Sequence, residues 1–406
     1  MKLAVIGAGV IGVTTAYELS CNGHEVTVFE RTSTAAEGAS FANMGLLAPA
    51  WMAASASAQW LQDRPAGLAS WWRGLRRAST AVPSRTDPGN ALLALADSGA
   101  QRLDELCSSL QLSVDSHQGM MVVWRETRDS KRAEDLHTRI RACGAECRLM
   151  PAEQARALES ALSAETPLQG ALVMADAWSV NCRQFTLLLR TAAQRRGCRF
   201  EFGRTVSSIQ AGARHRVLCD GDVPFPEHFD GVVLCAGSGS DGLLASLGVR
   251  LPLAEWEGHS LSAAVREPLD APVAVVHDLQ HQVSIARMGQ RIRVSGPAVR
   301  AWRTAGGNTP FKALYAVLDD WFPGAIRRGN GAGVQEWTAR ITSTIDGLPV
   351  IGQTARPGIW VNTGHGMHGW VTACSSARLL ADMVAGQDSA FDPAPYSTSR
   401  FAGHAE

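Results

Sequence analysis

The sequence predicts an α/β protein in which a nucleotide-binding domain on a parallel sheet is interleaved with an α+β domain on an antiparallel sheet. Three observations carry this. The chain opens with a strand, a glycine-rich turn, a helix and a second strand ending in an acid. Residues 273–294 read as three short consecutive strands, with a helix at 313–321. Near the end, a strand at 359–363 meets a second glycine-rich turn and another helix.

The opening unit is the most specific. Leu3-Ala4-Val5-Ile6 is an apolar run of buried-strand type. It runs into Gly7-Ala8-Gly9-Val10-Ile11-Gly12, a GxGxxG. Val13 to Asn22 has helical spacing, and Gly23 ends it. His24 to Glu30 is the second strand. Gly7 permits a tight turn, Gly9 lets backbone approach a pyrophosphate, and Gly12 lets helix and strand pack closely. Val10 and Ile11 begin a helix whose N–H groups and positive end suit phosphates. Glu30, with Arg31 beside it, would accept hydrogen bonds from a ribose 2′-hydroxyl and repel a 2′-phosphate, which argues against NADP. The acid falls eighteen residues past Gly12. That context makes a Rossmann-type unit, but leaves NAD and FAD both open.

The bulk numbers exclude several classes. A chain of 406 residues suggests two domains. Thirty-eight basic and 38 acidic residues give no charge-driven attraction to nucleic acid. Nine cysteines include no CxxC pair, so neither a metal site nor a disulfide framework is expected, and a cytoplasmic protein with reduced thiols is. The first residues lack signal-peptide order, and no apolar run reaches the ~20 residues of a membrane span.

The middle predicts helices at 89–112, 129–142, 151–158 and 184–196, and strands at 120–124, 198–202, 205–209 and 232–235. Residues 51–80 are expected to be irregular. They hold Trp51, Trp60, Trp71 and Trp72, then Arg73, Arg76 and Arg77. Two readings stand. The stretch 51–77 is a peripheral contact with the inner face of a membrane or a quinone-reducing partner, or a cap with aromatics packed inward, which is favoured.

Three segments carry a resemblance. Residues 37–45 read EGASFANMG, residues 229–239 read FDGVVLCAGSG, and residues 362–370 read NTGHGMHGW, with Ala373-Cys374 after. In this order, from residue 3 to about 386, the chain resembles the FAD-dependent amino-acid oxidase family, in its D-amino acid dehydrogenase and glycine oxidase branch. The resemblance implies FAD and a glutathione-reductase-like cofactor domain. It implies Ser40, Asn43, Gly45 and Leu46 along the isoalloxazine edge, Val206 holding adenine by its backbone, and Ala236-Gly237 passing near the pyrophosphate. The turn with Gly364, Gly366, Met367, His368 and Gly369 would offer N–H groups and a helix end to the flavin N1–C2=O edge. The expected division is 1–50, 150–245 and 331–390 for the cofactor domain, and 51–149 and 246–330 for the substrate domain.

The implied reaction is oxidation of an amino acid or related amine. Hydride passes from the α carbon to flavin N5, and the imine hydrolyses to a keto acid and ammonia. Oxygen or a quinone-type partner would take the electrons. An α-carboxylate is best held by a guanidinium. Relatives place an arginine five residues before the Asp of a DG-P--G stretch. Here Arg340 lies six before Asp346. Arg340 is the expected clamp, with a structural arginine as the alternative, and Arg287 and Arg293 are alternative cations. Histidines stand at three places where relatives differ: His281 and His259 replace tyrosines, and His368 an apolar residue. Each is a candidate acid or base, His281 equally a turn residue, and together they suggest an unusual substrate. Alternatives are an oxidase of glycine, sarcosine or a cyclic imino acid, and a non-catalytic FAD-binding subunit.

Overall fold

The computed structural model describes residues 1–62, 88–221, 223–300, 310–327 and 333–401, with backbone alone over 56–62. A six-stranded sheet runs in the order Val350–Gln353, Ile359–Thr363, Gly231–Leu234, Lys2–Ile6, Glu25–Glu30 and Arg199–Phe202. Neighbours are parallel except the first pair. Both faces are covered, which explains the continuous apolar runs. Leu3, Val5, Val26 and Val28 meet Val13 of helix Val10–Cys21, Leu189 of helix Cys182–Arg195 and Leu380 of helix Ala373–Ala385 in one core. Ala4, Ile6 and Phe29 turn to the other side, against a small sheet of Val206–Gln210, His215–Cys219 and Val223–Phe229 and helix Ser240–Ser246.

The first helix begins at Val10, inside the glycine motif and three residues earlier than its spacing suggested. Its Glu18 is fully buried and takes Arg102 Nε at 2.8 Å and Arg378 Nη1 at 2.9 Å. Those arginines come from helices Pro88–Ser109 and Ala373–Ala385, so one carboxylate ties three helices.

The second sheet has ten strands. Its main path is Val299–Arg300, Leu253–Ala264, Arg291–Ser295, Val283–Met288, Val275–Asp278, Ser116–Trp124, Gly170–Val180 and Leu46–Leu47. Gln335–Thr344 pairs along Leu253–Ala264, and Arg148–Pro151 along Gly170–Val180. All these pairs are antiparallel except Val275–Asp278 with Ser116–Trp124. Helix Pro310–Trp321 packs Leu314, Val317 and Leu318 onto Leu261, Ile285, Ile292 and Val294.

Several expectations change. Residues 51–62 are not irregular, because Pro49–Gln62 is a helix. Its Trp51 is buried, edge-on to His277 at 5.0 Å. The remaining tryptophans and arginines of the 51–77 reading lie outside the described residues or side chains. Gly170–Val180 and Gln335–Thr344 fall in stretches expected in the cofactor domain, yet hydrogen-bond into the ten-stranded sheet. Helix Pro88–Ser109, expected in the substrate domain, buries Leu92, Leu95 and Leu103 in the core of the six-stranded sheet. The interleaving is finer than the expected boundaries.

Candidate active site

A cavity of about 510 Å³ begins at the N-terminal glycine turn and reaches the ten-stranded sheet. Gly7 has φ +103°, and a Cβ on it would lie 2.6 Å from the Cys235 carbonyl oxygen. A Cβ on Gly12 would lie 1.8 Å from the Gly7 oxygen. Gly12 is therefore a packing contact, and it does not line the cavity, whereas Gly7, Gly9, Val10 and Ile11 do. Val10 N–H is taken by Ser40 Oγ at 3.0 Å. Ile11 and Gly12 sit in the first turn, where N–H groups have no intrahelical acceptor. Glu30 lines the cavity and also receives Ala8 N–H at 2.7 Å, so it braces the glycine turn. Arg31, Val206, Ala236 and Gly237 complete this end. A small-residue floor, an open helix start and a carboxylate in one cavity fit a dinucleotide.

The segment 40–46, expected at the flavin, and the C-terminal turn meet farther along. Ser40 and Asn43 line the cavity; Gly45 and Leu46 do not. Gly45 has φ +64°, and its carbonyl accepts Val180 N–H at 2.8 Å and Trp370 Nε1–H at 2.9 Å. Leu46 pairs with Ser179. These two residues fasten the segment to the second sheet. Phe41 stacks on Trp337 with centroids 4.2 Å apart, and the Arg183 guanidinium lies 4.5 Å from the Phe41 ring centre.

In the C-terminal turn, Gly364, Gly366, Met367 and Gly369 line the cavity. His368 does not, and its carbonyl accepts Thr372 N–H. The turn is pinned by a residue that motif reading passed over. His365 is buried, with Nε2 2.9 Å from Asn362 Oδ1 and Nδ1 2.9 Å from Thr372 Oγ1. Asn362 Nδ2 donates to Thr15 and Ser376, so its Oδ1 is the acceptor and Nε2 carries the proton. Burial, with His368 adding to it, pushes His365 down to about 3, so it is a neutral strut. The available signal was Asn362, a polar residue directly after the apolar run 359–361 of its strand. Cys374 faces the core away from the cavity.

The candidate catalytic residues are not brought together. His281 closes a turn, with N–H and Nδ1 on Asp278 Oδ1 at 2.8 and 3.1 Å. Asp278 is itself held by Arg125 and by Trp321 Nε1–H at 2.7 Å. His259 is buried edge-on to Phe311 of the covering helix. Neither lines the cavity. Arg340 stands at the cavity rim, its side chain 66% exposed and 3.9 Å from Glu255. Directly opposed residues of an antiparallel pair share a face. Arg340 opposes Glu257, on the side of His259 and Leu261 that carries the covering helix. Ile341 opposes Trp256, on the side of Trp337 that meets Phe41. The position five residues before Asp346, where the resemblance leads one to expect the clamping arginine, is thus an isoleucine on the side of Phe41 and Trp337.

Among the described residues no His, Cys, Asp and Glu cluster could hold a metal, and no helix is long and apolar enough to cross a membrane. Comparison with known proteins bears on the family. Over 99% of its length the chain is 31% identical to a D-amino acid dehydrogenase of Cereibacter sphaeroides, covering 96% of that protein. It is 32% identical to one of Rhizorhabdus wittichii, covering all of it. Glycine oxidase from Geobacillus kaustophilus shares the fold, with TM-score 0.77 and 21% identity over 98% of both chains. Iminodiacetate oxidase from Chelativorans sp. BNC1 does so at TM-score 0.71 and 18% identity over 97% of this chain and 98% of its own. Residues 2–383 match the family described as DAO, FAD dependent oxidoreductase. With its dinucleotide cradle in place, the chain belongs to that family of FAD-dependent oxidoreductases.

Proposed function

We propose that this protein oxidises an amino acid or related amine at its α carbon, as a D-amino acid dehydrogenase-like enzyme. The observation that carries this is one cavity walled by the dinucleotide cradle at one end and by the ten-stranded sheet at the other, in a chain similar to such dehydrogenases along its whole length. Gly7, Gly9, Val10, Ile11, Glu30, Arg31 and Val206 would hold the nucleotide half. Ser40, Asn43 and the Gly364–Gly369 turn would hold the isoalloxazine. Bound FAD supplies the two-electron acceptor for a hydride leaving the α carbon. The N–H groups of the Gly364–Gly369 turn, held rigid by His365, would stabilise negative charge arriving at that end of the cavity. The sheet excludes water and orients the substrate, which is the dominant requirement for hydride transfer. The imine product hydrolyses to a keto acid and ammonia. The electrons pass on to oxygen or a quinone-type partner.

One observation favours a second reading. With Ile341 in the relatives' arginine position, the chain fits a non-catalytic FAD-binding subunit. Anaerobic mixing of the holoprotein with D- and L-amino acids, cyclic imino acids and N-methyl glycines separates the two. Bleaching of the flavin band by any of them supports the enzyme. No bleaching across the panel, with FAD fully bound, would refute it.

A further inference from the structure

The two faces of the ten-stranded sheet differ. One is apolar, with Leu261, Ile285, Ile292 and Val294 under helix Pro310–Trp321. The other carries Arg293, which opposes Ser262 on one neighbour and Ala286 on the next. This second face looks at the flavin segment. Arg293 Nη1 donates to the Asn43 carbonyl at 2.8 Å, and Trp337 on the same face stacks on Phe41.

Arg293 is only 8% exposed, and its Nε has no partner. Among the described residues no carboxylate pairs with it. Its charged neighbours are themselves cations, Arg291 and Arg183, and burial pulls it down to about 10. A guanidinium taken from water without an anion is costly, and buried charges persist where something compensates them. Other polar groups share its face. Ser295 lies two residues along the strand and opposes Ser284. Ser284 Oγ is 2.8 Å from His277 Nδ1, and His277 Nε2 is buried without a partner. This is a polar patch in which Arg293 has no matching anion among the described residues; it lies behind the cavity lining, against Asn43 and on the face of Trp337, which do line it. Arg340, by contrast, is solvated, beside Glu255 and on the opposite face.

We infer that Arg293 is the specificity-determining residue that takes the substrate's carboxylate, replacing the arginine absent at Ile341. The inference rests on the proposed oxidation of an amino acid. The planar fork leaves donors free after the bond to Asn43, which suits one carboxylate.

The test compares binding of benzoate and benzamide to the holoprotein by flavin difference spectra, alongside anaerobic reduction by the best substrate. The wild type should bind the acid at least tenfold more tightly than the amide. In Arg293→Met the acid should weaken about 50-fold or more, to the level of the amide, with amide binding and FAD content unchanged. Arg293→Lys, which keeps the charge and guards against a folding failure in the methionine variant, should retain part of the preference. Three results overturn the inference: Arg293→Met keeping the preference, the preference vanishing in Arg340→Met instead, or both ligands and FAD being lost from Arg293→Lys, which would make the residue a tether of the Asn43 loop. A wild type that binds benzoate through Arg293 but is reduced by no amino acid defeats the proposed function and leaves the anion site standing.

Discussion

Replacing Gly12 by alanine tests the cofactor cradle most directly. The added Cβ would sit 1.8 Å from the Gly7 carbonyl oxygen. A carbon–oxygen contact needs about 3.3 Å, so helix and turn must part by roughly 1.5 Å. Overpacking costs about 1–3 kcal/mol. The obstacle here is backbone, which cannot rotate aside, so the upper end applies. Because the parting opens the turn expected to hold the pyrophosphate, that cost falls on binding. About 3 kcal/mol corresponds to roughly 100-fold weaker FAD. Titrating apoprotein with FAD and following flavin fluorescence reads this directly. Gly242→Ala is the control. It lies in helix Ser240–Ser246 with nothing within 4 Å of its Cβ, and should gain up to about 1 kcal/mol of stability with FAD affinity intact. A Gly12→Ala protein that binds FAD within threefold of wild type would refute the assignment of Gly12 as the contact between helix and turn.

Glu18→Ala should cost about 2–3 kcal/mol in urea unfolding, since Arg102 and Arg378 lose their shared partner but keep Glu105 and Asp382; a loss under 1 kcal/mol would show that the three helices do not depend on it. His277 and His365 are pushed down by burial to about 4 and about 3. The unfolded chain binds their protons near 6.5, so between those values and 6.5 it holds more protons than the fold. Stability should therefore fall as pH drops below about 6.5, by up to about 1.4 kcal/mol per pH unit for each histidine. His277→Gln should flatten the slope between pH 5 and 6.5, and an unchanged slope would count against a neutral His277. Trp337→Ala removes the stack on Phe41, worth about 0.5–1.5 kcal/mol beyond its area. Faster FAD release in stopped flow is expected, and an unchanged release rate would detach this contact from cofactor retention.

The opening unit was legible because its information is local. The glycine spacing, the preceding strand and the acid after it all lie within thirty residues. The second sheet was only half legible. Its hairpin strands at 275–295 were found from short-range turns. Gly170–Val180 was missed because its first five residues are buried on both faces and show no alternation. Leu253–Ala264 was missed because glycine, serine and alanine stand where a packed strand would show large residues. That second omission hid the most consequential fact at the site. Whether Arg340 or Ile341 faces the flavin segment depends on which residue of the missed strand each opposes, and a shift of one residue reverses every side chain. His365 escaped for another reason. Its role lies in partners at Asn362 and Thr372, and a glycine-flanked histidine looks the same whether it acts as an acid or as a strut.

The cavity draws one wall from the glycine turn of the six-stranded sheet and another from residues 337–342 of the ten-stranded one. A molecule filling it is mortar between two slabs. Ligand at a hundred times its dissociation constant adds about 2.7 kcal/mol to the filled form, and here that sum is shared by both sheets at once. Emptying the cavity therefore does more than remove a reagent. It removes a contact that both sheets share, so loss of cofactor should lower the stability of the two sheets together.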